Sequence, residues 1–151
     1  ESPKALVAKL NERLFSMKEG LEFSFSLLSL LPQENRLMYI SQGSPPLWYI
    51  PVGKKSVEKR TVELPLLGQK QKVDVLEVES NWNVGDKVLL HSFQARDDSS
   101  DLEELFKEAC EEHMFLPPKK QAEAISRRIM SKKGRSRAEL AMTVVACERV
   151  T

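Results

Sequence analysis

At 151 residues with 41% hydrophobic content, the chain fits one compact domain, 1–151, around a single core, because a chain this long buries roughly two thirds of its surface on folding. Its 23 Lys and Arg against 22 Asp and Glu leave a net charge of +1, which excludes an overall field that gathers nucleic acid or anionic lipid. The longest apolar stretches, Leu27 to Leu31 and Leu140 to Cys147, are too short to span a bilayer, and no signal-peptide pattern opens the chain, so a soluble, cytoplasmic protein is expected.

The chain begins at Glu1 without a Met, which points to trimming upstream. Ser2 before Pro3 is a helix start, since Ser caps orphan amides and Pro is tolerated in the first turn. Leu6, Leu10, Leu14 and Met17, with Val7 beside them, then recur at helical spacing, and Gly20 offers a left-handed stop. From Leu21 the period changes to two, with Leu21, Phe23, Phe25 and Leu27 on one face of a long strand. Pro32 to Asn35 is a turn, Leu37 to Ser41 a second strand, Gly43 to Pro46 another turn and Leu47 to Ile50 a third strand; short turns between consecutive strands imply an antiparallel meander. Arg60 to Leu64, Val73 to Glu79 and Lys87 to Ser92 continue the strands, the last entered through the turn Asn83-Val84-Gly85-Asp86.

Helices follow. Ser100-Asp101-Leu102-Glu103 reads as a capping box that opens a helix with Leu102, Leu105, Phe106 and Ala109 inward. A second helix runs from about Pro118 to Lys132, with Ala122, Ile125, Ile129 and Met130 on its apolar side and Gly134 past its end. The last strand, Glu139 to Arg149, carries the apolar run Leu140 to Val145 expected of a central strand covered on both faces. The class is α+β, an antiparallel sheet or two-sheet sandwich flanked by helices. Cys110 and Cys147 lack metal-ligand spacing and are expected to be buried thiols.

In order and spacing these segments resemble the SpoIIE-type (RsbU-like) branch of the metal-dependent (PPM) protein phosphatases. Ser2 to Leu6 followed by Leu10-Asn11 and Leu14 is similar to the family's helix ending in a Leu-Asn pair, and Phe23 to Leu31 stands where the family has its long strand. Leu37 to Pro46 resembles its Tyr-x-x-Ala-Gly-His-x-Pro turn, with Ser44 at the His. Leu64 to Gly68 is similar to its Pro-Leu-Gly segment, Val84 to Ser92 to its Pro-Gly-Asp strand, and Met142 to Val145 to its closing strand. The resemblance covers the C-terminal portion of such a domain, implies the αββα fold without its N-terminal strands, and points to bacterial signalling.

The family's chemistry requires carboxylates that hold two divalent cations and activate a water for attack on a phosphoserine or phosphothreonine. The first comes from an Asp-x-x-Gly-His-Gly turn, a sequence that this chain does not contain. The second ends the Gly-Asp strand, where this chain reads Ser92-Phe93-Gln94, and the third is an Asp-Asp pair before the closing Thr, where it reads Leu140-Ala141-Met142-Thr143. The resemblance thus implies degenerate ligand positions at Phe93, Leu140 and Ala141, and a pseudophosphatase that binds a protein partner, as in partner switching, with no cofactor expected. The alternative is a fragment of an active phosphatase that uses displaced acids at Asp97, Asp98 or Glu139 with manganese or magnesium.

Outside that frame, the acids from Asp97 to Glu112 read first as a helix start and a solvated face. Six cations between Arg127 and Arg137, among them Arg128, Lys132 and Lys133, suit a helix C-terminus and could meet an acidic protein. They lack the interleaved aromatics that a nucleic-acid module wants, so nucleic acid is the weaker alternative there. His91 and His113 have no triad spacing. Trp82, in the turn Asn81-Trp82-Asn83, would anchor a partner if exposed. Oligomeric state is left open.

Overall fold

The computed structural model describes residues 2–17, 20–43, 46–60, 64–93, 99–131 and 142–151. They contain α1 (Pro3–Ser16), β1 (Phe25–Leu31), β2 (Arg36–Gln42), β3 (Leu47–Ile50), β4 (Glu58–Arg60), β5 (Glu77–Asn81), β6 (Lys87–Phe93), α2 (Ser99–Glu112), α3 (Pro118–Ser131) and β7 (Met142–Glu148). The described strands form two antiparallel sheets, ordered β1-β2-β5 and β4-β3-β6-β7. Two compact units follow the same division: 1–46 with 61–82, and 47–60 with 83–151.

In the first unit, the Ser2 hydroxyl accepts the Ala5 amide at 3.2 Å and caps α1 as its sequence requires. The helix is nevertheless turned differently from the leucine spacing. Val7 (1% exposed) and Asn11 are buried, whereas Leu6 (56% exposed), Leu10 and Met17 face outward. Hydrogen bonding decides the rotation. Asn11 Nδ2 donates to the carbonyls of Lys70 (3.0 Å) and Gln71 (3.2 Å), and Gly68 N donates to Asn11 Oδ1 (2.9 Å). Three bonds to loop backbone outweigh the burial of one leucine edge. Val7, Ile40, Leu67 and Val75 form the apolar centre of this unit.

Residues 32–34 form a 3-10 turn that ends on Asn35 in the left-handed region, after which β2 pairs with β1 along its whole length. The expected meander stops there. The other edge of β2 is taken by β5, and β3 joins the second sheet, because period-two patterning marks a strand without specifying its neighbour. The strand expected from Val73 begins instead at Glu77; at the end of the ladder, Gln42 Nε2 donates to the Asp74 carbonyl at 2.9 Å. The strand expected from Arg60 ends there, with 61–63 outside the described residues.

In the second unit, Leu102, Leu105, Phe106, Ala109 and Cys110 of α2 and Ile125 and Ile129 of α3 pack with Trp48, Ile50 and Leu89 of the sheet. Gln121 joins the buried side of α3, while Ala122 and Met130, expected inside, are half-buried. Helix α2 starts at Ser99, so Ser100 lies within its first turn. Strand β7, expected to be central, pairs only with β6 among the described residues, and Val145 is exposed. A run of apolar residues reports side-chain chemistry and not which backbone edge is paired.

Candidate functional site

Strand β6 links two distinct places. At its start, Asp86 is fully buried and accepts three hydrogen bonds: from Tyr49 Oη (2.6 Å), Asn83 N (2.6 Å) and Val52 N (2.8 Å). Burial and then the Asp86 carboxylate push the Tyr49 phenol far above its ordinary value, so it stays a donor. Next along the strand, Lys87 Nζ donates to the carbonyls of Met114 (2.8 Å) and Leu116 (2.7 Å), which satisfies backbone past the end of α2. The sequence marked Asp86 as part of a turn and of the segment resembling the Pro-Gly-Asp strand, and Lys87 as the strand's first residue, but signalled the burial of neither, since a strand's first residues are ordinarily solvated.

At the far end, roughly 20 Å along the strand at about 3.3 Å per residue, the ladder pairs Ser92 with Thr143 and Phe93 with Met142. The register therefore brings Phe93 beside the residues that follow Leu140 and Ala141. Leu140 and Ala141 themselves, and the acids Asp97, Asp98 and Glu139, lie outside the described residues. His91 sits two residues before this end, buried, with its ring centroid 4.2 Å from Phe106 and 6.4 Å from Trp48. Burial lowers its pKa to about 3, which keeps the imidazole neutral and suits a core residue rather than a general acid. Among the described residues no three His, Cys, Asp or Glu side chains are placed to hold a metal ion.

These residues now carry a family assignment. The family model of stage II sporulation protein E (SpoIIE) matches residues 1–149. The chain belongs to the SpoIIE family. No curated protein matches the sequence. Among solved structures, the phosphatase domain of the cell-fate determinant SpoIIE from Bacillus subtilis, presoaked with manganese, is similar with a TM-score of 0.66 at 17% identity, over 99% of this chain and 75% of that one. The RsbU and RsbW domains of a Mycobacterium tuberculosis protein match with a TM-score of 0.76 at 12% identity, over 99% and 44%. The SiaA PP2C domain of Pseudomonas aeruginosa matches with a TM-score of 0.75 at 15% identity, over 97% and 60%. This SpoIIE-family chain thus has the mixed helix and antiparallel-sheet fold of PPM phosphatase domains, and it spans from under half to three quarters of those structures.

The fold also explains two family-like segments. Leu10-Asn11 and the stretch ending at Gly68 meet through the Asn11 hydrogen bonds, and Gly68, at φ +85°, leaves no room for a Cβ against the Leu21 carbonyl. Of the residues offered as partner contacts, Trp82 is buried (2% exposed), with its amide donating to the Asn35 carbonyl at 2.8 Å, so it is not an exposed anchor. Arg127 is exposed on α3, whereas Arg128 is half-buried with Nε 3.3 Å from Glu112 at the end of α2. Lys132 and Lys133 lie outside the described residues. Cys110 is buried as expected and Cys147 only partly so. No helix among the described residues is long and apolar enough to cross a membrane.

Proposed function

We propose that this chain is a non-catalytic member of the SpoIIE family, a pseudophosphatase that regulates bacterial signalling by binding a protein partner. The reading rests on the pairing of Phe93 with Met142. That register sets Phe93 beside the start of the closing strand, and the positions at which the resemblance puts the family's second and third carboxylates read Phe93, Leu140 and Ala141, whose side chains offer no oxygen to a hard cation. The residues do not fit the two-cation site, so no step of phosphate hydrolysis is assigned to them. RsbU and RsbW domains occurring together in a similar structure support a protein partner.

Calorimetric titration with manganese should show no tight site, and phosphopeptide turnover should stay at background. The paired substitution Phe93→Asp with Ala141→Asp should create measurable manganese binding. Tight binding by the unsubstituted chain, or metal-dependent hydrolysis abolished by Asp98→Ala, would overturn the proposal in favour of a phosphatase with displaced ligands.

A further inference from the structure

The turn around Trp82 does present an apolar side chain, but it is Val84. Val84 and Val52 are each 54% exposed and Val150 is 76% exposed. Their backbones adjoin. Asp86 receives the amides of Val52 and Asn83, while Gly85 N donates to the Arg149 carbonyl (2.7 Å) and Arg149 N to the Asp86 carbonyl (3.0 Å). Gly85, at φ +89°, permits the approach of the first loop, since a Cβ there would lie 2.7 Å from Val52 Cγ2. Two loops at the start of β6 are therefore tied to the buried Asp86 carboxylate and a third to the backbone of Gly85 and Asp86, and large apolar groups stand outside them in fixed places.

The charged side chains around them are in positive excess, with Lys54, Lys55, Arg60, Lys87 and Arg149 against Glu58, Asp86 and Glu148. Lys54 (side chain 62% exposed), Lys55 and Arg149 border the valines. Asp86 is buried with three donors, Glu58 accepts from Lys54 and Arg60, Glu148 is half-buried 3.9 Å from Lys87, and Arg149 Nε donates to the Thr151 carbonyl. An apolar patch with a cationic rim is complementary to aliphatic side chains flanked by carboxylates, and it disfavours a second copy, which would set like charges together.

We propose that this loop cluster docks an acidic, aliphatic segment of a partner protein, covering Val52 and Val84 while its carboxylates meet Lys54 and Lys55. The inference deepens the protein-binding reading by naming a surface and a partner chemistry. Metal and phosphopeptide assays test that reading without reference to these loops, so the two can fail separately.

The probe is a soluble synthetic peptide of alternating Glu and Leu, titrated into the 15N-labelled chain beside a Lys-Leu counterpart. Saturable shifts are expected at residues 52–55, 83–85 and 149–150. Affinity should fall about tenfold or more with Lys54→Glu plus Lys55→Glu, and should weaken with Val84→Ser at unchanged melting temperature. Absent or displaced shifts, or equal binding of the Lys-Leu peptide, would overturn the proposal. So would a dimer in sedimentation that Val84→Ser dissolves, which assigns the surface to a second copy. Retention on phosphatidylserine vesicles that the lysine variants abolish, without peptide binding, would assign it to membrane instead.

Discussion

His91 makes the second unit sensitive to acid. Its pKa is lowered to about 3 in the folded chain by burial, against 6.5 for an unperturbed histidine. Between those values the unfolded chain binds more protons than the folded one, so stability falls as pH falls. The loss begins below about pH 6.5, reaches about 2 kcal/mol at pH 5 and about 3 kcal/mol at pH 4, and levels off below the folded value. Urea unfolding at pH 7.5 and pH 5 measures it, read by the emission of Trp48, whose ring centroid is 6.4 Å from that of His91, in a Trp82→Phe background. At a slope near 2 kcal/mol per molar, the midpoint should drop by about 1 M between the two conditions. His91→Leu should shift both curves by its packing cost yet remove this difference, leaving only the contribution of the carboxylates. If the unsubstituted chain and His91→Leu lose the same stability on acidification, the buried neutral histidine is not the cause and the reasoning fails.

Two further outcomes follow from polar groups inside the units. Asp86→Ala strands the Tyr49 hydroxyl and the Val52 and Asn83 amides. It should cost about 3 kcal/mol and lower the melting temperature by roughly 10 °C in a calorimetric scan, while Tyr49→Phe costs about 1 kcal/mol. Asn11→Leu should destabilise by about 2 to 4 kcal/mol in chemical denaturation, because Gly68 N and the Lys70 and Gln71 carbonyls lose their partner. Leu6→Ala, on the exposed side of α1, should stay within about 0.5 kcal/mol. The reverse ranking would mean that the leucine stripe, and not Asn11, holds the helix.

Much of the local structure was legible in the residues. Ser2-Pro3 opens α1, Leu47 to Ile50 is β3 to the residue, and Leu102, Leu105, Phe106 and Ala109 all turn inward from α2. Each signal is local: a hydroxyl placed to cap an amide, or apolar spacing that matches a backbone period. The candidate site was legible only as letters, since the expectation at Phe93, Leu140 and Ala141 needs no more than the order of segments. The pairing of Phe93 with Met142 was not, because register is a property of two strands about fifty residues apart in the chain.

Trp82 shows the same limit from the other side. Its setting between two asparagines looks like an exposed turn, yet it is buried, and Val84 two residues on is outside. Exposure depends on what packs over a residue, which neighbours in sequence do not report.

The sequence by itself determined family and most element types, because composition, capping and periodicity act within a few residues. Tertiary structure alone decided which face of α1 is buried, which sheet β3 joins, that Phe93 lies opposite Met142, and that Asp86 joins Tyr49 of β3 to two loops. In each case a long-range hydrogen bond selects among arrangements that the apolar pattern leaves nearly equal, and that selection exists only once the chain has folded.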